Sequence, residues 1–147
     1  MIRGEAYIPY STFININEKI PETENRYKNP RNLASGTVRQ LDSKIAAERN
    51  VCFAAFELVT YTNEELKHSR FDPNLFADHF EWMKELGIHV VNYKKVTSET
   101  IEETIAAYEK EVKNNDFPSD GLVLMYNDVK FGKSLGTTGK NPRYGIA

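Results

Sequence analysis

The sequence predicts an α+β fold with largely antiparallel sheets and flanking helices. Three observations carry this. β-Branched and aromatic runs at 51–60 and 122–126 read as strands. Helix chemistry at 72–86 and 100–112 lies between them. Strands and helices follow one another without the regular βαβ rhythm of a parallel sheet.

Taken in order, Arg3–Ile8 reads as a strand closed by Pro9, which has no N–H for a ladder. Ser11–Asn17 reads as a short helix, although Ile14-Asn15-Ile16-Asn17 also alternates like a strand. Residues 21–32 hold two prolines and three asparagines and read as a loop. Leu33–Arg49 predicts helix, with Val38, Leu41 and Ile45 on one face. Asp42-Ser43 divides it in two, Asp42 capping the second half. Val51–Thr60 reads as a buried strand.

Asp72-Pro73 predicts a helix start, a capping carboxylate followed by proline at the first helical position. Leu75, Phe76, Phe80, Met83 and Leu86 form its apolar stripe, and Gly87 ends it. Ile88–Val96 then reads as a strand. Thr100-x-x-Glu103 fits a capping box, with Ile101, Ile105, Tyr108 and Val112 on one face of the next helix. Pro118-Ser119-Asp120-Gly121 reads as a turn into a buried strand at Leu122–Tyr126.

Length and composition fit a single domain: 147 residues, 40% hydrophobic, 27% charged and a net charge of −2. No apolar run approaches the roughly 18 residues of a membrane span. No basic-then-apolar leader is visible at Met1–Glu5. The lone Cys52 leaves no cysteine partner for an internal disulfide or a cysteine-rich zinc site. The small net charge conceals three blocks: +2 over 1–50, −7 over 51–120 and +3 over 121–147. Such a pattern commonly marks a solvated acidic helix face, and it also fits two basic ends that face phosphate.

Gly132-Lys133-Ser134 suggests a phosphate loop, but Asn127 stands where that motif needs its first glycine. Lys133, Lys140 and Arg143, interleaved with Gly136 and Gly139, remain a basic segment suited to a nucleic-acid backbone or simply a flexible loop. His68, His79 and His89 show no metal-binding spacing and fit surface or satisfied-core roles. More unusual are Arg31, on a proline-stiffened loop, and Arg39, eight residues on inside a helix. Arginine offers planar forked donors suited to phosphate oxygens. Ala34, Ser35, Gly36 and Thr37 between them are small enough for a ligand or neighbouring element to approach. Phosphate contact and pairing with a local carboxylate such as Asp42 both fit this spacing.

Five segments in this order resemble the adenylation (nucleotidyltransferase) domain of bacterial NAD-dependent DNA ligases. They are Arg3-Gly4-Glu5, the stretch NPRNLASGTVRQLD from Asn29 to Asp42, and Cys52–Phe56. The turn Ser119–Val123 and the segment LGTTGKNPR from Leu135 to Arg143 complete the set. The second is the specific one. The resemblance implies a nucleotidyltransferase fold and an enzyme whose lysine attacks the α-phosphorus of NAD and releases nicotinamide mononucleotide. AMP then passes to the 5′-phosphate of nicked double-stranded DNA, and the 3′-hydroxyl displaces it, with Mg²⁺ assisting. It implies catalytic roles for Arg31, Arg39 and Asp120. Glu5, Phe56 and Asp120 would contact the adenylate, with Phe56 stacking on adenine. Arg31, Arg39, Lys133, Lys140 and Arg143 would contact nucleic acid. A monomer in the bacterial cytoplasm, associated with the nucleoid and not with membrane, is expected.

Two departures stand against a complete enzyme. The family nucleophile lies in Lys-x-Asp-Gly, which occurs nowhere in the sequence. Met125 also replaces the lysine that usually closes Asp-Gly-Val-Val-Ile-Lys, so a phosphate contact is either lost or supplied by a neighbour such as Lys130. Residues 1–147 are therefore expected to be a partial, somewhat divergent adenylation domain that lacks the upstream nucleophile and a downstream lysine motif. The isolated chain is expected to be inactive. The alternative is a non-catalytic nucleic-acid-binding module derived from a ligase.

Overall fold

A computed structural model describes residues 1–62, 71–139 and 141–147. The described elements run β1 (Ile2–Tyr7), α1 (Tyr10–Glu18), α2 (Pro30–Thr37), α3 (Ser43–Glu48), β2 (Cys52–Leu58), α4 (Phe76–Glu85) and α5 (Ile101–Val112). They continue with β3 (Leu124–Met125), α6 (Val129–Ser134), β4 (Thr137–Thr138), β5 (Asn141–Pro142) and β6 (Gly145–Ile146). β1 pairs with β2, β3 with β6 and β4 with β5. The last two pairs are antiparallel, with Met125 opposite Gly145 and Thr138 opposite Asn141. This is the α+β architecture with antiparallel sheets and flanking helices that the sequence predicts. His68 lies outside the described residues.

The chain forms two compact units, and the division falls within β1 and β2. One unit comprises Met1–Gly4, Ala55–Lys95 and Asp120–Ala147; the other comprises Glu5–Ala54 and Val96–Ser119.

In the first unit, Ala55, Leu58, Phe80, Met83 and Val90 form the core. The predicted stripe on α4 holds at Phe80 and Met83, but Leu86 is 56% exposed. The helix begins later than expected. Asp72 accepts from Asn74 N at 2.8 Å in a local turn, and Leu75 takes the cap position. Asn127 captures the first turn instead: its carbonyl accepts from Phe76 N and its side chain from Ala77 N, both at 2.9 Å. Gly87 does end the helix, at φ +76°. Its N–H donates to Lys84 O and Ile88 N–H to Met83 O, the paired bonds of a Schellman stop that needs a left-handed residue.

Two strand expectations are met only in part. Within 88–96 only Val90 bridges, in parallel, to Ala55. Tyr93 docks on α4 instead, its ring 4.6 Å from that of Phe80 and its hydroxyl donating to Glu81. Burial and that bond push the Tyr93 hydroxyl up to about 12. The same bond, with Lys84 beside it, lowers the Glu81 carboxyl. Residues 118–123 take neither turn nor strand, and β3 is two residues long. Its surroundings are apolar yet open, with Val123 66% and Tyr126 50% exposed. A short apolar run has the same periodicity whether or not anything covers it.

In the second unit, Ile8, Leu33 and Ala34 are buried, with Phe13, Ile16 and Val51 against them. The ambiguous 11–17 segment is helical. Its first turn is held by Asp116, whose carboxylate accepts from Ser11 N at 2.7 Å and Ser11 Oγ at 2.5 Å. Those bonds lower the Asp116 carboxyl, and a negative charge is favourable at a helix N-terminus. The expected helix over 33–49 does divide, and Asp42 caps α3 by accepting from Lys44 N at 2.9 Å. Its expected apolar face is wrong: α2 buries Pro30, Leu33, Ala34 and Thr37, whereas Val38 and Leu41 are exposed. The capping box at α5 does not form either. The Thr100 hydroxyl accepts from Thr97 N at 3.0 Å, on the side away from the helix.

Candidate functional site

Asn29-Pro30 starts α2. The Asn29 side chain accepts from Arg31 N at 2.7 Å and Asn32 N at 3.3 Å, and Pro30 occupies a first-turn position whose missing N–H costs nothing. Residues 30–32 are therefore helix rather than loop. This reverses the expected setting of the two arginines. Arg31 lies in the first turn of α2, whereas Arg39 lies beyond its C-cap, Val38.

Glu5, on β1, meets Arg31 through an ion pair of 3.6 Å between Oε1 and Nε. The side chains are 60% and 67% exposed, so the pair contributes little to stability and its consequence is positional. Arg39 is exposed and makes no ion pair among the described residues. Asp42 is committed to capping α3. Pairing of these arginines with Asp42 is thus not what the structure contains.

Phe56, Asp120, Lys133 and Arg143 belong to the other unit, whereas Glu5, Arg31 and Arg39 share one. Phe56 lies on β2 between buried Ala55 and half-buried Glu57, and is 38% exposed. Asp120 is exposed in the irregular segment before β3. Lys133 is exposed in the last turn of α6, and Arg143 is exposed after β5, its N–H donating to Gly136 O at 3.0 Å. Lys140 lies outside the described residues. Gly132 has a packing role: a Cβ there would come within 2.9 Å of Tyr144 Cβ. Lys130 sits in the first turn of α6, whose cap Asp128 accepts from Phe131 N at 2.8 Å and is lowered mainly by that bond.

No three metal-ligating side chains converge among the described residues. His79 is buried, with Nε2 at 3.0 Å from Pro73 O, among the rings of Tyr61, Phe71 and Phe76. It is a core residue, as its neighbours in sequence suggest. Sequence reasoning missed Tyr27 and Arg49, which meet across 22 residues with Arg49 Nη2 donating to the Tyr27 hydroxyl at 2.9 Å. No local spacing signals such a pair.

The family model for the NAD-dependent DNA ligase adenylation domain matches residues 1–147. The chain belongs to that family. It is 50% identical over 147 residues to the DNA ligase of Ruminiclostridium cellulolyticum and 52% identical over 147 residues to that of Lachnoclostridium phytofermentans. Each match covers all of this chain and 22% of the relative. The DNA ligase of Bacillus cereus is 39% identical over 150 residues, covering 99% of this chain and 21% of that protein. This adenylation-domain chain thus spans about a fifth of the length of the curated relatives it matches.

Proposed function

We propose that this adenylation-domain segment serves an NAD-dependent DNA ligase that seals nicks in duplex DNA. The observation that carries the reading is Arg31, set in the capped first turn of α2 against Glu5 of β1. Both lie on segments that resemble the ligase pattern. In the reaction, a lysine nitrogen forms a bond to the α-phosphorus of NAD as the bond to nicotinamide mononucleotide breaks. AMP then moves to the 5′-phosphate of the nick, and the 3′-hydroxyl displaces it. The helix holds Arg31 ready to neutralise phosphate charge, and Arg39 offers a second guanidinium. Positioned charge of this kind lowers the barrier because it needs no rearrangement as the reaction proceeds. Glu5 borders the adenylate ribose, Phe56 presents a π-face to adenine, and Asp120 completes the nucleotide side. Lys133, Lys140 and Arg143 follow the DNA backbone.

Mg²⁺ belongs with the substrate phosphates on this reading, since the ion commonly binds through phosphates and few carboxylates. The described residues form no carboxylate cage for it. The protein acts as a monomer in the bacterial cytoplasm, at the nucleoid. With no Lys-x-Asp-Gly in its 147 residues, the isolated chain makes no lysyl-adenylate with NAD. Titration of the chain against a nicked duplex carrying a 5′-adenylate tests the reading. Binding should weaken with salt, and weaken again in Arg31→Ala and Arg39→Ala. Equal affinity in all three proteins would refute the assignment of these arginines.

A further inference from the structure

Val38, Arg39 and Leu41 stand exposed on the connection between α2 and α3, in the unit comprising Glu5–Ala54 and Val96–Ser119. Leu41 is 105% exposed and Val38 52%. A single exposed leucine is ordinary on a protein surface, but here two apolar side chains flank a guanidinium. The connection is held at both ends. Val38 N donates to Ala34 O and Gln40 N to Thr37 O, each at 3.0 Å. The Gln40 side chain donates to Gly36 O at 3.4 Å, and Asp42 caps α3. Thr37 anchors the inner side, buried and donating through Oγ1 to Leu33 O at 2.7 Å. A ligand that meets these side chains finds the backbone already ordered, which lowers the cost of binding.

The charge around this connection selects the partner. From Asn29 to Lys44 the chain carries three basic residues and one acid, Asp42. Arg39 makes no ion pair among the described residues, which leaves it open to a phosphate of a polyanion. Val38 and Leu41 then need an apolar surface within reach of that phosphate, and the C–H faces of the flanking sugars supply one. We infer that Val38 and Leu41 pack on deoxyribose of duplex DNA beside a phosphate held by Arg39, and that Leu41 disfavours ribose there. A 2′-hydroxyl pressed against leucine loses its water and gains no partner, whereas deoxyribose has no such group to desolvate. The inference rests on the nick binding proposed for Arg39 and adds to it a residue that tells DNA from RNA.

The chain is titrated against a nicked duplex carrying a 5′-adenylate, and against the same duplex with ribonucleotides placed one at a time around the nick. Leu41→Ser should weaken binding to the all-DNA duplex at least about threefold and leave the salt slope unchanged, because no charge is removed. The unaltered chain should prefer that duplex over at least one ribonucleotide position by about threefold or more, and Leu41→Ser should erase the preference. Leu41→Met should retain both. Leu86→Ser, an exposed change at the end of α4 in the other unit, should alter neither. Amide spectra of the ¹⁵N-labelled variants report the fold. If the chain binds no duplex, or Arg39→Ala has no effect, the role proposed for Arg39 fails and this inference with it. If Arg39→Ala weakens binding while folded Leu41→Ser does not, only this inference is overturned. An equal loss in Leu41→Ser for every duplex would also overturn the sugar contact. A dimer that Leu41→Ser converts to monomer in sedimentation, with duplex affinity unchanged, would assign the surface to a second copy instead.

Discussion

Asn29→Ala removes the acceptor that holds the first turn of α2, where Arg31 resides. In the native chain one side-chain oxygen serves two otherwise unpaired donors, Arg31 N at 2.7 Å and Asn32 N at 3.3 Å. Alanine leaves both to water and removes the cap's preference for extended backbone, seen here at φ −154° and ψ 129°. Loss of such a cap costs about 1 kcal/mol, within a range of about 0.5–2. For a chain near 150 residues that lowers the thermal midpoint by roughly 3 °C. Thermal unfolding followed by circular dichroism, with Asn29→Ser and Asn29→Asp beside the alanine variant, measures it. The two capping replacements should recover most of the loss. Because the frayed turn carries Arg31, the alanine variant should also bind an adenylated nick more weakly than the serine variant. Equal stability of the alanine and serine variants would refute the capping account of this helix start.

Four further outcomes are expected. Met83→Ala should lower stability by about 2–5 kcal/mol in urea unfolding, because Met83 is fully buried in the first core. Gly87→Ala should cost about 1 kcal/mol by the same measurement, since Gly87 holds φ +76° in the helix stop. Asp116 and Asp128 both have lowered carboxyl pKa values, from bonds to Ser11 and to Phe131 N respectively. Their folded pKa lies below the unfolded one, so their contribution is present above the ordinary carboxylate range and lost as pH falls through the folded value. The urea midpoint should therefore drop on acidification below about pH 4, and Asp116→Asn should flatten that drop. Arg31→Ala should also reduce the magnitude of the salt slope of duplex binding by about 1, the share of one phosphate contact.

The helix starts show what the sequence discloses and what it conceals. Asp42 was legible as a cap because its acceptor and donor lie two residues apart. Asn29-Pro30 carries the same signature but is embedded in a run of prolines and asparagines that reads as loop. Asp72-Pro73 carries it too, yet forms a turn, because α4 takes its first-turn acceptors from Asn127, about 50 residues away. α1 likewise owes its start to Asp116, at a separation of 105 residues. Caps supplied across the fold leave no local pattern. The same reason hides the meeting of Tyr27 with Arg49. Of the candidate site, Glu5 and Arg31 were recognisable through family resemblance, while their 3.6 Å contact was visible only in the fold. The exposed run at Leu122–Tyr126 misled because composition reports apolarity and not its covering.

The proposal makes these 147 residues the adenylation-domain segment of an NAD-dependent DNA ligase. A segment exchange puts this to the test. The matching residues in the DNA ligase of Ruminiclostridium cellulolyticum, 50% identical over 147 positions, are replaced by this chain, and nick sealing with NAD is measured. The chimera should seal nicked duplex, and Arg31→Ala within it should reduce sealing strongly while leaving the protein folded. A folded chimera that fails to seal, or one indifferent to Arg31→Ala, would contradict this role for the segment.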